Sequence, residues 1–235
     1  MSTEAAAFLR ARRRPLELII FDCDGVLIDS EGLCNRVVAE ILTAHGWPMT
    51  PNECEHLFIG MSFYAMQPVI ERHIGRALGA GWVDGVVDIV TAAMEREVEP
   101  MPGARQALEA VTALGLPWRI ASNSSHTEMD AKFGRAGWMH LVAGRTHSAV
   151  DVIALGGAGK PAPDVYLAAA AKQPAAPAHC LVIEDSVHGI AAARAAGMDC
   201  LALVRRGGGA AERAAGGVPF RSMCDLPELL REAMA

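Results

Sequence analysis

Apolar positions change rhythm along this chain, and the first change carries the most information. Leu18-Ile19-Ile20-Phe21, preceded by Leu16 and Glu17, is apolar at consecutive positions and stops at Asp22-Cys23-Asp24-Gly25-Val26-Leu27. An unbroken apolar run of this length, closed by turn residues, predicts a strand covered on both faces of a parallel sheet. Such sheets bind ligands at their carboxyl edge. If the backbone stays extended past Phe21, residues two apart share a side, so Asp22 and Asp24 face one small space and Cys23 faces away. The bland alternative is an Asp-Gly turn with local hydrogen bonds.

The rhythm then becomes helical. Ile28-Asp29-Ser30-Glu31 suits a helix start, and Leu33, Val37, Val38, Ile41 and Leu42 recur at helical spacing up to Gly46. Thr50-Pro51-Asn52-Glu53 has the form of a capping box and predicts a second helix. Gly60-Met61-Ser62 is read as its end, with Ser62 capping a third helix that carries Met66, Val69, Ile70 and His73 on one face. Val83, Val86, Val87, Val90 and Met94 predict a fourth, closed before Pro100-Met101-Pro102-Gly103. Residues 31–99 therefore read as a helical cap domain inserted into a core formed by 1–30 and 100–235, with hinge-like boundaries.

From 103 onward helices alternate with strands. Helix is expected over 103–114, strand over 117–121 ending in Ser122-Asn123-Ser124-Ser125, and helix up to Gly137. Leu141-Val142-Ala143 is read as a weak strand, and a helix is expected from about 163. Cys180-Leu181-Val182-Ile183 is a strand ending in Glu184-Asp185-Ser186; a helix to Gly197 and a strand over 199–204 follow. The Gly- and Ala-rich stretch 206–217 is read as a mobile surface loop. The expected fold class is α/β, a doubly wound parallel sheet of Rossmann type with an inserted all-helical cap.

Composition narrows the function. The 235 residues are 51% hydrophobic and 20% charged, ordinary globular material, and the formal net charge of −6 speaks against a nucleic-acid partner. The one dense basic cluster, Arg10, Arg12, Arg13 and Arg14, lies in an N-terminal segment expected to fray. No stretch has the apolar length of a signal peptide or a membrane span, so no membrane partner and a cytoplasmic location are expected. The cysteines at 23, 34, 54, 180, 200 and 224 lack metal-finger spacing and are read as reduced and packed. The histidines form no zinc motif. A monomer or weak homo-oligomer is expected.

In a parallel sheet the strand ends share one edge, so Asp22, Asp24, Ser122, Lys160, Glu184 and Asp185 can converge. Read singly, each has a plain alternative: a serine capping a helix, a solvated lysine, an acidic pair at a helix start. Lysine is scarce here, at three residues against eighteen arginines, which gives the placement of Lys160 more weight. Together the residues suit phosphoryl transfer. A carboxylate meeting a phosphate dianion at 4 Å in an effective dielectric of 20 is repelled by about 8 kcal/mol, so cations must offset it. Magnesium prefers oxygen ligands such as Asp22, Glu184 and Asp185; Lys160 adds fixed charge, and Ser122 with nearby N–H groups can bind phosphate oxygens. Two rival motifs fail: Gly159-Lys160 lacks the Ser or Thr and first Gly of a P-loop, and the prolines after Gly157-x-Gly159-x-x-Ala162 spoil a dinucleotide-binding helix start.

Asp22-Cys23-Asp24-Gly25-Val26-Leu27, Ala121-Ser122-Asn123-Ser124, Gly159-Lys160-Pro161-Ala162-Pro163-Asp164 and Ile183-Glu184-Asp185-Ser186 resemble, in order, the four motifs of the haloacid dehalogenase superfamily. The helical insertion is similar to the cap of its beta-phosphoglucomutase and phosphoglycolate phosphatase group. The resemblance implies that Asp22 forms an aspartyl-phosphate and that Asp24 protonates the leaving oxygen and then activates water. It also implies phosphate binding by Ser122, Asn123 and Lys160. Magnesium would be held by Asp22, the Asp24 carbonyl and at least one of Glu184 and Asp185.

Asp24 favours phosphate chemistry over dehalogenation, because an alkoxide leaving group needs an acid and a halide does not. Residues 31–99 contain no lysine, which disfavours a Schiff-base phosphonatase and ranks a phosphosugar mutase second to a phosphatase. The expected function is a magnesium-dependent phosphatase of a small phosphorylated metabolite, a sugar or sugar-acid phosphate. The rival from another class is a catalytically silent relative that binds phosphate or protein. Arg36, His45, Met61, Ser62, Arg72 and Arg76 are cap residues in reach of a role in substrate contact, none assigned to a site.

Overall fold

Two units divide the chain, one formed by Met1–Ile28 with Pro100–Ala235 and the other by Asp29–Glu99. The computed structural model describes residues 3–58, 61, 63–205 and 207–234, so the expected break at Gly60 and cap at Ser62 lie outside the described residues. The first unit begins with α1 (Thr3–Arg10) and β1 (Leu18–Phe21). The second carries α2 (Ser30–Ala44), α3 (Pro51–Phe58), α4 (Phe63–Ile74) and α5 (Trp82–Glu97). The first resumes with α6 (Ala104–Ala113), β2 (Trp118–Ser122), α7 (His126–Arg135), α8 (Met139–Val142), β3 (Thr146–Ser148), α9 (Ala149–Ala154) and α10 (Asp164–Ala171). It ends with β4 (Cys180–Glu184), α11 (Val187–Ala195), β5 (Asp199–Leu203), α12 (Ala210–Ala215), β6 (Val218–Phe220) and α13 (Leu226–Met234).

The six strands form one parallel sheet in the order β3-β2-β1-β4-β5-β6, so β1 lies at its centre. Period-two alternation buries both faces. Leu18, Ile20, Ala121, Val182 and Ala202 pack into one cluster with Tyr166 and Ala169 of α10 and Ile190 and Ala193 of α11. On the other face Phe21 meets Trp118 edge-on at 6.2 Å, and the Trp118 indole N–H donates to Thr112 of α6. Phe21 is in register with Ile120 and Ile183, which brings Asp22, Ser122 and Glu184 out on one edge.

Several local expectations need correction. The segment read as the strand Leu141-Val142-Ala143 is the end of the short helix α8; the edge strand is Thr146–Ser148, anchored by parallel pairing of Thr146 with Ile120 rather than by apolar residues of its own. The stretch read as a loop over 206–217 contains α12, and β6 follows it unforeseen. Where the N-terminal segment was expected to fray, Thr3–Arg10 forms α1, which buries Ala5, Ala6 and Leu9 and lies against α13 and β6.

In the second unit Asp29 caps α2 by accepting from the Gly32 N–H. The Thr50–Glu53 capping box is present, with the Glu53 carboxylate accepting from the Thr50 N–H at 2.8 Å and Thr50 Oγ1 accepting from the Glu53 N–H at 3.3 Å. Trp47 stacks on His73 at 3.7 Å and meets Phe58 edge-on. Arg36 pairs with Glu40 and Glu97, and Arg76 with His45.

Candidate active site

The strand β1 hands Asp22 to the sheet edge, and the Asp22 N–H extends the ladder by donating to the Ile183 carbonyl at 2.9 Å. The backbone does not stay extended beyond that point. It bends at Cys23, whose carbonyl accepts from the Leu27 and Ile28 N–H groups, and Gly25 takes a φ of +78° that side-chain-bearing residues rarely adopt. Strand alternation is therefore not what places Asp24; a bend closed on the Cys23 carbonyl does. Asp22 and Asp24 turn to different lysines, although the charge of Asp24 still acts on Asp22. Cys23 is fully buried, and burial pushes its thiol far above the ordinary value, so it is no nucleophile.

Lys160 binds the first acid. Its ammonium donates to Asp22 Oδ1 at 2.5 Å and to Glu184 Oε1 at 2.8 Å, and it lies 4.7 Å from the centre of the Tyr166 ring. The loop that presents it is tied to β2, since the Lys160 N–H donates to Asn123 Oδ1 at 3.0 Å. Gly159 permits this approach: a Cβ there would stand 3.0 Å from the same oxygen.

Glu184 is the anchor of the lysine. It is 1% exposed, and every hydrogen bond it receives comes from a donor: Lys160 and the Tyr166 hydroxyl at Oε1, and the Asp185 N–H, Ser186 N–H and Ser186 Oγ at Oε2. Only an ionised carboxylate satisfies five donors on two oxygens. Burial would raise its pKa, but the Lys160 charge and the Ser186 hydrogen bonds outweigh that and hold it below the usual value. Gly189 leaves the space, because a Cβ there would overlap Glu184 Oε1.

Burial pushes Asp22 up to about 7 against the pull of Lys160, with Glu184 and Asp24 pushing in the same direction. Lys160 is also buried, which would drain its charge, yet Asp22 and Glu184 raise it above an ordinary lysine. A proton thus stays on Lys160, and Asp22 lies desolvated beside it.

Asp24 is held by a second buried lysine that the apolar pattern did not single out. Lys132 of α7 donates to Asp24 Oδ1 at 2.7 Å and Oδ2 at 2.9 Å and to Ser124 Oγ at 3.0 Å, while Ser124 Oγ donates to Asp24 Oδ2 at 2.9 Å. Burial would lower the Lys132 pKa; Asp24 overrides this and raises it. A signal was present: Lys132 shares the inward stripe of α7 with the fully buried Met129 and Phe133, a place where a cation must have a partner. Ser122 is 2% exposed and accepts from the Ser124 N–H at 3.0 Å, so it shapes the loop in which Ser124 meets Asp24.

A metal fits this donor set. Oxygens of Asp22, Glu184 and Asp185 lie within 4.8 Å of one another, all hard carboxylate ligands. Gly25 clears the space for one of them, since a Cβ there would overlap Asp185 Oδ2. Lys160 pairs with Asp22 and Glu184, and Lys132 pairs with Asp24 beside them.

Residues 16–197 match the family of haloacid dehalogenase-like hydrolases. The chain belongs to that family. The 6-phosphogluconate phosphatase of Escherichia coli (strain K12) is 28% identical over 185 residues, covering 78% of this chain and 80% of that protein. Hexitol phosphatase B of the same organism is 30% identical over 204 residues, covering 79% and 82%. Among solved structures, a HAD family hydrolase from Deinococcus radiodurans R1, crystallised with bound phosphate and sodium, superposes with a TM-score of 0.83 at 32% identity, over 94% of this chain and 97% of that one. The sheet order and helical layers are thus those of a haloacid dehalogenase-like hydrolase. Among the described residues no helix is long and apolar enough to cross a membrane.

Proposed function

We propose that this chain is a magnesium-dependent phosphatase of a small phosphorylated metabolite, a sugar or sugar-acid phosphate, working through an aspartyl-phosphate on Asp22. The observation that carries the proposal is the buried Lys160 ammonium 2.5 Å from Asp22, itself fixed by Glu184, at the carboxyl edge of the sheet. The phosphatase names of the relatives support the substrate class.

In this reading Asp22 Oδ attacks phosphorus, and the bond from phosphorus to the ester oxygen breaks. The leaving oxygen takes a proton from Asp24, which becomes a carboxylate. Water then attacks the same phosphorus, the bond to Asp22 breaks with its electron pair returning to Asp22, and the water proton passes to Asp24. Asp24 is again an acid for the next turnover. Lys160 offsets the charge of the transferring group, and N–H groups of the loop after β2, with Ser122 and Asn123, position its oxygens. Asp22 and Asp185 with the Asp24 carbonyl would hold magnesium, and Glu184, whose oxygens receive five donors, would serve it by fixing Lys160. Bound magnesium would supply positive charge that neutralises the phosphate dianion.

Residues 31–99 are assigned as the substrate-selecting cap and 1–30 with 100–235 as the catalytic core, and a cytoplasmic location suits such a substrate. The test is magnesium-dependent phosphate release across a panel of sugar and sugar-acid phosphates, with a chelator as control. Asp22→Asn is expected to abolish release. Substantial activity in that variant, or none in the parent across the panel, overturns the reading.

A further inference from the structure

We propose that Lys132 is a positioning residue for the second chemical half-step: it fixes the Asp24 carboxylate as the acceptor that draws the proton from the attacking water. The inference rests on the reading of Asp22 as nucleophile and Asp24 as acid and base.

The geometry is specific. Lys132 is 8% exposed and approaches both Asp24 oxygens, at 2.7 and 2.9 Å, so its ammonium straddles the carboxylate rather than touching one end. Ser124 closes the third side, donating to Oδ2 and accepting from Lys132. The lysine comes from the middle of α7, whose start is fixed by a full capping box between Ser125 and Glu128 and whose inward face is locked by Met129 and Phe133. The ammonium therefore sits on a rigid element, and Asp24 follows a bend held by backbone hydrogen bonds to Cys23. A side chain clamped at both oxygens has one orientation.

The half-steps make different demands on that clamp. When the phosphoryl group moves to Asp22 from an aryl ester, nitrophenolate leaves as an anion and needs no proton, so Asp24 releases its own proton to solvent and stands as the carboxylate for the next half-step. When water attacks the aspartyl-phosphate, the phosphorus–oxygen bond to water forms, the bond to Asp22 breaks, and a proton must reach Asp24. Misplacing a base costs on the order of 10²-fold, so loss of the clamp should slow the second half-step and spare the first.

The experiment is stopped-flow release of p-nitrophenolate from p-nitrophenyl phosphate with saturating magnesium, on the full chain. Lys132→Met is expected to show a burst approaching one nitrophenolate per enzyme, then a steady rate about 10- to 100-fold below the parent, with KM falling in parallel as phosphoenzyme accumulates. Lys132→Arg, which keeps the donors, should recover most of the steady rate. A merely structural role would lower burst and steady rate together; that result overturns the proposal, as does a parent-like Lys132→Met. If Lys132→Met does not hold its fold, Lys132→Gln is measured instead: a burst followed by a slowed steady rate supports the clamp, and a joint loss of both overturns it. The nucleophile assignment fails separately: an enzyme without magnesium-dependent turnover, or an active Asp22→Asn, sinks that assignment and the Lys132 role with it. A normal parent with a silent Lys132 sinks the Lys132 role alone.

Discussion

Glu184→Gln is the most informative single substitution in the core, because it changes one oxygen to an amide and leaves the shape alone. Five donors converge on this carboxylate, two at Oε1 and three at Oε2. An amide has one acceptor oxygen, so its NH₂ must face either Lys160 and Tyr166 or the Asp185 and Ser186 groups, donor against donor. Lys160 meanwhile loses one of its two buried counter-charges. Breaking a buried pair while the other member stays costs about 3–5 kcal/mol, and for a chain of this size that corresponds to a melting temperature lower by about 10 °C. Loss of the fixed ammonium should also reduce kcat/KM by about 10²-fold. The assay is urea denaturation with and without magnesium, alongside a magnesium titration of activity. Equal destabilisation in both conditions, with the magnesium midpoint unchanged, is expected if Glu184 anchors Lys160. A loss below about 1 kcal/mol, or a defect cured by added magnesium, would refute the anchor role and return Glu184 to the metal.

Further outcomes follow from other contacts. Gly25→Ala should both strain a +78° backbone and push the Asp185 carboxylate aside, costing about 1–3 kcal/mol and raising the magnesium needed for half-activation; a parent-like magnesium titration would count against Asp185 as ligand. His147 is held at about 4 by burial, with the charge of Arg119 adding to it. Its folded pKa is depressed below the ordinary 6.5, so its neutral form stabilises the fold above about pH 6.5 and that contribution is lost as pH falls toward 4. Discounted for its half exposure, the effect is about 1–2 kcal/mol, and His147→Gln should flatten the fall of the urea midpoint between about pH 7 and 4.5 by that amount.

The sheet edge was legible because three apolar runs end abruptly in polar residues, and parallel strands can only bring such ends together. That logic found Asp22, Lys160 and Glu184. It assumed an extended backbone through Asp24, because a bend closed by hydrogen bonds to Cys23 leaves no trace in the apolar pattern. Its grouping of Glu184 with Asp22 and Asp185 agrees with oxygens that lie within 4.8 Å of one another, whereas the five donors on Glu184 could not be counted without the backbone of Asp185 and Ser186 in place. The edge strands β3 and β6 were invisible for another reason: Thr-His-Ser and Val-Pro-Phe have little strand character alone and take it from pairing with β2 and β5. Lys132 was within reach of the sequence, as one of three lysines and a charge on an apolar helical stripe.

Trapping is the most direct test of a nucleophilic Asp22. Enzyme mixed with a good phosphate ester and magnesium is quenched, reduced with borohydride and digested, so that an aspartyl-phosphate is recovered as homoserine at its own position. The account predicts homoserine at position 22, dependent on substrate and absent from Asp22→Asn. Homoserine at another aspartate, or turnover that leaves no trapped residue while the Asn variant stays active, would contradict it.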